Sequence, residues 1–136
     1  MKITGECHCG AIAYEAEIDP ARVGLCHCAD CQTLSASAYR TVAIVPAGSF
    51  LLTRKKPREY VKVAQSGNRR AQAFCPECGS AIYATNADGE RQAYNIRLGT
   101  SHQRRDLIPQ FECWTQSALP WVPETSGTKR YDENPQ

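Results

Sequence analysis

The sequence is short of the features that would place it in a membrane or on a nucleic acid. No stretch approaches the roughly 18 apolar residues needed to span a bilayer. The net charge of +2 is too mild to leave an electrostatic footprint for nucleic acid. The opening Met-Lys-Ile-Thr-Gly-Glu-Cys lacks an apolar h-region and a small-residue cleavage site, so no signal peptide is expected and the expected setting is the cytoplasm. Helix signals are weak, which argues against a bundle. There is no internal linker, no low-complexity block and no long repeat. With 136 residues, 42% hydrophobic and 22% charged, the expectation is one folded domain over residues 1–136 with a modest core.

Cysteine, by contrast, is abundant. Seven of the eight cysteines fall in three tight clusters: Cys7-His8-Cys9, Cys26-His27-Cys28-Ala29-Asp30-Cys31 and Cys75-Pro76-Glu77-Cys78. In a reducing compartment such clusters read as metal-binding or catalytic rather than as disulfides. Cys-x-Cys pairs are also badly spaced to bridge each other. Ligand pairs one or two residues apart present their sulfurs to one point, which suits a tetrahedral zinc ion.

Most of the chain has the pattern of strands and turns. Ile12, Tyr14, Ala16 and Ile18 alternate with polar or small neighbours, as in a half-buried strand. Further strands are expected at 39–45, 50–53, 60–64, 71–74, 81–84 and 94–98, punctuated by Pro46-Ala47-Gly48, Ser66-Gly67-Asn68 and Asn86-Ala87-Asp88-Gly89. About two helical turns are expected over 30–38 and one short turn over 19–22. After Gly99 an irregular, proline-punctuated tail is expected, anchored by Trp114 and Trp121. The fold class is therefore mainly β, a zinc-stapled, sandwich-like arrangement with little helix.

Ligand arithmetic divides the clusters. Joining the knuckle Cys7-x-Cys9-Gly10 to the knuckle Cys75-x-x-Cys78-Gly79 closes a loop of more than 60 residues, where a metal clip removes most entropy from the unfolded chain. Cys7, Cys9, Cys75 and Cys78 then form a closed structural zinc site. Cys26, Cys28 and Cys31 remain, and three protein ligands with one open position is the plan of a catalytic zinc. Three thiolates on a dication leave one net negative charge, a poor Lewis acid but a good holder of a fourth thiolate. The expected chemistry is thiol activation. Cys113 would close this second site if it were a fourth ligand, but beside Phe111 and Trp114 it reads as a small buried hydrophobe.

The chain resembles the glutathione-dependent formaldehyde-activating enzyme family, which includes centromere protein V. The resemblance rests on Gly5-x-Cys7-x-Cys9-Gly10-Ala11 with Tyr14-Glu15, Cys26-His27-Cys28-x-x-Cys31-Gln32, Phe74-Cys75-x-x-Cys78-Gly79-Ser80 and Leu119-Pro120-Trp121. It implies an Mss4-like β fold, a structural zinc on Cys7, Cys9, Cys75 and Cys78, and a catalytic zinc on Cys26, Cys28 and Cys31. It also implies a carbon–sulfur lyase activity in which glutathione, or a related small thiol, adds to formaldehyde. Many relatives have glycine after the residue matching Ser35, where this chain has Ala36; a positive φ there would strain the alanine.

Other residues have plainer readings. His8 and His27 lie between ligand cysteines in turns that point such side chains away from an ion, although His27 could carry a proton at the open site. His102 reads as solvated. Arg54, Lys55, Lys56 and Arg58 read as a solvated turn or, with Arg69-Arg70 and Arg104-Arg105, as anchors for an anionic ligand. The contrasting function is a zinc-stabilised binding module with two structural sites. Nothing in the sequence gives the oligomeric state.

Overall fold

The computed structural model describes residues 1–135. The chain is mainly β, as the alternation predicts. The strands are β1 (Lys2–Glu6), β2 (Ala13–Glu17), β3 (Val23–Cys26), β4 (Arg40–Pro46), β5 (Phe50–Leu52), β6 (Arg58–Val63), β7 (Arg69–Phe74), β8 (Ala81–Asn86), β9 (Ala93–Arg97), β10 (Phe111–Cys113) and β11 (Lys129–Arg130). The α-helix, α1, spans Ala29–Ser35. Strands β1, β2 and β5 form a three-stranded sheet. The other eight form a second sheet in the order β11-β10-β3-β4-β9-β8-β7-β6.

The pairing registers divide the large sheet into two faces, because side chains alternate along each strand and partners opposite each other share a face. One face carries Val23, Ala43, Val45, Ala73, Tyr83 and Ile96. These side chains join Ile3, Tyr14 and Ala16 of the small sheet in one core. The other face is built in rows. Cys113 lies opposite Cys26, and Cys26 opposite Arg40. Phe111, Gly24, Val42 and Arg97 form the next row, followed by Ile44, Asn95, Ala84 and Gln72. Gly24 is required there, since a methyl group on it would overlap the Phe111 ring.

Four strands, β1, β3, β10 and β11, had no sequence expectation. β1 and β3 are each interrupted by glycine, at Gly5 and Gly24, and β11 is two residues long. β10 falls in the stretch expected to be an irregular tail, yet it pairs in parallel with β3 inside the large sheet. The tail has one anchoring tryptophan instead of two. Trp114 is half-buried and donates from Nε1 to Asn134 Oδ1 at 3.0 Å. Trp121 is 72% exposed, because a turn closed by Val122 N–H on Leu119 O, between Pro120 and Pro123, holds it off the body. No helix of the described residues is long and apolar enough to cross a membrane.

Candidate metal centres and the cavity beside them

The sulfurs of Cys7, Cys9, Cys75 and Cys78 all lie within 4.8 Å of one another. Cys7 follows β1, and Cys75 and Cys78 occupy the turn from β7 to β8. Each knuckle is closed by a backbone bond, Gly10 N–H to Cys7 O at 3.0 Å and Gly79 N–H to Cys75 O at 2.8 Å. Gly10 and Gly79 both have φ of 81°, a left-handed conformation that glycine adopts without strain. Cys7 Sγ is 3.6 Å from Cys9 Sγ, which is 3.7 Å from Cys75 Sγ. Four thiolates about 2.3 Å from a zinc ion would stand about 3.8 Å apart, so the donor set fits a tetrahedral ion. Hydrogen bonds from Ser80 hold the Cys78 thiol down to about 5, favouring the ligating form.

Cys26, Cys28 and Cys31 form a second group, again within 4.8 Å of one another. Cys26 ends β3. Cys28 caps α1, its Sγ accepting the Cys31 N–H at 3.3 Å. Cys31 is buried in the first turn. The thiols of Cys26 and Cys31 donate toward Cys28, which with the charge of Lys62 holds Cys28 at about 2; hydrogen bonds with Cys113 first and Cys28 second push Cys26 up, and those with Cys26 and Cys28 push Cys31 up. This donor set also fits a metal ion, with three ligands.

The two groups differ in what surrounds them. The four-thiol group is packed into the core through Cys7 and Cys75. The three-thiol group opens on a cavity of about 820 Å³. Its floor is the second face of the large sheet, and its walls include α1, the β6–β7 turn and the tail at Glu133, Asn134 and Pro135. Lys62 spans part of the rim, with Nζ 2.7 Å from Asp30 Oδ2.

Cys113 is 6% exposed and sits beside Cys26 across the β3–β10 pair, but it is not in the three-thiol group. His27 does not line the cavity. It is 1% exposed, and its Nε2 pairs with Glu112 Oε1 at 2.9 Å, so it fastens the cysteine loop instead of serving the cavity as a proton carrier. Glu112 Oε2 accepts Thr128 Oγ1 at 2.6 Å and Arg130 Nη1 at 2.7 Å, so one buried carboxylate ties the loop to the tail. Gln32 adds a second tie, donating to His27 O at 2.8 Å and Ser117 O at 2.9 Å. His8 is exposed, and His102 bonds Thr4 Oγ1 through Nδ1 at 2.9 Å.

The basic runs are mostly elsewhere. Arg54 is engaged with Glu6 Oε2 at 3.0 Å and Gly10 O at 2.8 Å, near the four-thiol group. Lys55, Lys56, Arg58, Arg104 and Arg105 are exposed and do not line the cavity. Arg69 pairs with Asp88 at 2.8 Å, while Arg70 lines the cavity. The sequence reading passed over Arg40, Gln72 and Arg97. The polar residues of β9 alternate with buried ones and so read as solvent-facing; the missed signal is that several neighbouring strands carry polar residues in the same register.

The chain is thus a two-sheet, mainly β protein with two cysteine groups, of four and three thiols, that could each hold a metal ion. The family model described as glutathione-dependent formaldehyde-activating enzyme matches residues 2–117, and the chain belongs to that family. A search of curated proteins finds no match. Among solved structures, a Rhodobacter sphaeroides protein is similar at 17% identity over 94% of this chain and 98% of that one, with a TM-score of 0.56. That likeness concerns the fold alone.

Proposed function

We propose that residues 1–136 act as one domain, a zinc-dependent carbon–sulfur lyase that adds glutathione or a related small thiol to formaldehyde or another small aldehyde. The observation that carries this reading is the contrast between the groups: four thiols that complete a ligand set and are anchored in the core by Cys7 and Cys75, against three that open on a cavity. In this reading Cys7, Cys9, Cys75 and Cys78 hold a structural zinc, and Cys26, Cys28 and Cys31 are catalytic. A zinc ion on the latter three would keep an incoming thiol deprotonated in its fourth position. The residues themselves do the rest. The β3–α1 junction fixes the three sulfurs, and His27, Glu112 and Gln32 lock the loop that carries them. The cavity floor holds the two reactants together, which supplies much of the rate gain. The thiol sulfur forms a bond to the aldehyde carbon, the carbonyl pair moves to oxygen, and the oxygen takes a proton.

Cys28→Ser tests this. The variant is expected to stay folded with one zinc per chain and to lose the acceleration of glutathione–formaldehyde exchange seen by NMR. A variant that unfolds, or one that accelerates exchange as the native chain does, overturns the reading. Because Cys113 stands beside Cys26, a second reading makes both sites structural, with Cys113 as the fourth thiolate. It requires Cys113→Ala to lose the second zinc, whereas the enzyme reading requires that variant to retain it.

A further inference from the structure

Two arginines are buried beside the three-thiol group without a counter-ion. Arg40 is 6% exposed and Arg97 is 7% exposed. Arg97 Nη2 donates to Gln72 Oε1 at 2.7 Å, but Arg97 Nε has no hydrogen-bond partner, and neither do Arg40 Nε and Nη2. Among the described residues, no ion pair includes Arg40, Arg70 or Arg97. A buried, incompletely bonded guanidinium is costly unless something fills the vacant positions. Burial and the neighbouring charge of Arg40 draw Arg97 down to about 10, which still leaves it protonated at neutral pH.

Charge bookkeeping shows what is missing. Three thiolates on a dication would carry one net negative charge, and the charged residues lining the cavity, Arg22, Lys62, Arg70 and Arg97 against Asp30 and Glu133, carry two net positive ones. The face around the cysteines is therefore cationic before any substrate enters. Arg97 and Arg70 line the cavity together with Gln72 and Asn95, on the same sheet face as Cys26. A ligand can thus reach the cysteines and the arginines at once.

Resting on the thiol reading above, we propose that Arg97 is the specificity-determining residue of this cavity, and that the thiol it admits carries a carboxylate bound by Arg97 with Arg70 beside it. The exposed basic runs take no part. The carboxylate pairs with the guanidiniums of Arg97 and Arg70 where they line the cavity and offsets the surplus positive charge, so a neutral thiol of the same size binds less well.

The test is calorimetric titration of the zinc-loaded native chain with glutathione and with glutathione diethyl ester, which keeps the thiol but neutralises both carboxylates. A charge-assisted hydrogen bond is expected to give glutathione at least a tenfold advantage in Kd. Arg97→Met is expected to bring glutathione down to the affinity of the ester while retaining two zinc ions per chain. Equal affinities in the native chain overturn the arginine assignment and leave the thiol reading standing. Binding of neither compound overturns both. An Arg97→Met chain that keeps the preference overturns the role of Arg97. If that variant loses metal, Arg97→Lys decides: it keeps the charge but loses the guanidinium fork, and it should bind glutathione severalfold more weakly than the native chain. Native affinity in Arg97→Lys overturns the assignment.

Discussion

Substituting Cys75 and substituting Cys28 should cost very different amounts of stability. Cys75 is 1% exposed, and its sulfur meets that of Cys9, 66 residues earlier in the chain. Clipping two points that far apart removes entropy from the unfolded chain worth about 4 kcal/mol by the loop-closure relation. That is a large part of the roughly 5–15 kcal/mol available to a domain of this size. Cys26, Cys28 and Cys31 lie within one short segment, for which the same relation gives about 2 kcal/mol, reduced further because β3 and α1 already order the loop. With zinc in excess, Cys75→Ser is expected to lower Tm by about 15 °C, and Cys28→Ser by no more than about half of that. Cys113→Ser is the control: it buries the same hydroxyl at a 6% exposed position without breaking either group. Circular-dichroism melts with metal counts on the same samples read the outcome. Equal losses for Cys75→Ser and Cys28→Ser, or a greater loss for Cys28→Ser, would refute the argument that only the four-thiol group is a long-range clip.

Three further outcomes follow from single positions. Ala36 ends α1 at φ 51° and ψ 42°, a left-handed conformation that costs a non-glycine residue about 1 kcal/mol, so Ala36→Gly should raise the urea midpoint by about 0.5–1 kcal/mol of stability; a lower midpoint would contradict this. Gly24→Ala drives a methyl into the Phe111 ring on the cavity floor and should cost about 2 kcal/mol in the same assay, whereas an unchanged midpoint would mean that Phe111 can move aside. Burial opposes ionisation of Glu112, but hydrogen bonds from Thr128 and His27 and the charge of Arg130 outweigh it and hold the carboxyl below its ordinary 4.5. A carboxyl depressed in the folded state stabilises fully above about pH 4.5 and loses that contribution as pH falls through its folded value. Glu112→Gln should therefore be less stable than the native chain at pH 7 and show a flatter decline between about pH 5 and 3, and an acid limb parallel to the native one would refute this.

What the sequence made legible was local. Cys-x-Cys and Cys-x-x-Cys spacing needs no tertiary information, and strands such as β2 and β9 announce themselves by alternation. Ala36 could be singled out only through the family resemblance, in which many relatives carry glycine there, and its φ is positive. The missed elements depend on distant pairings. β10 is three residues long and ordered by β3, some 85 residues earlier, so no local pattern marks it. Trp121 was misjudged because a large apolar side chain says nothing about whether its turn faces inward. Arg97 was misjudged because alternation shows that two faces differ without showing what each one meets.

The structure divides two tasks between the faces of one sheet. The face toward β1, β2 and β5 is apolar, and with the four-thiol group it accounts for a stable core in a short chain. The opposite face carries Cys26, Cys113, the guanidiniums of Arg40, Arg70 and Arg97, and Gln72, and as a packing surface it is poor. Such a face is tolerated because stability is supplied on the other side. It remains ordered because Glu112, on the core-facing side of β10, fastens both the cysteine loop and the tail across the sheet edge. The tail lies beyond the residues matched by the family model, yet Glu133, Asn134 and Pro135 wall the cavity. On the proposed thiol reading, selectivity should therefore depend on Arg97 at the floor and on those tail residues at the mouth, with the three cysteines supplying the chemistry.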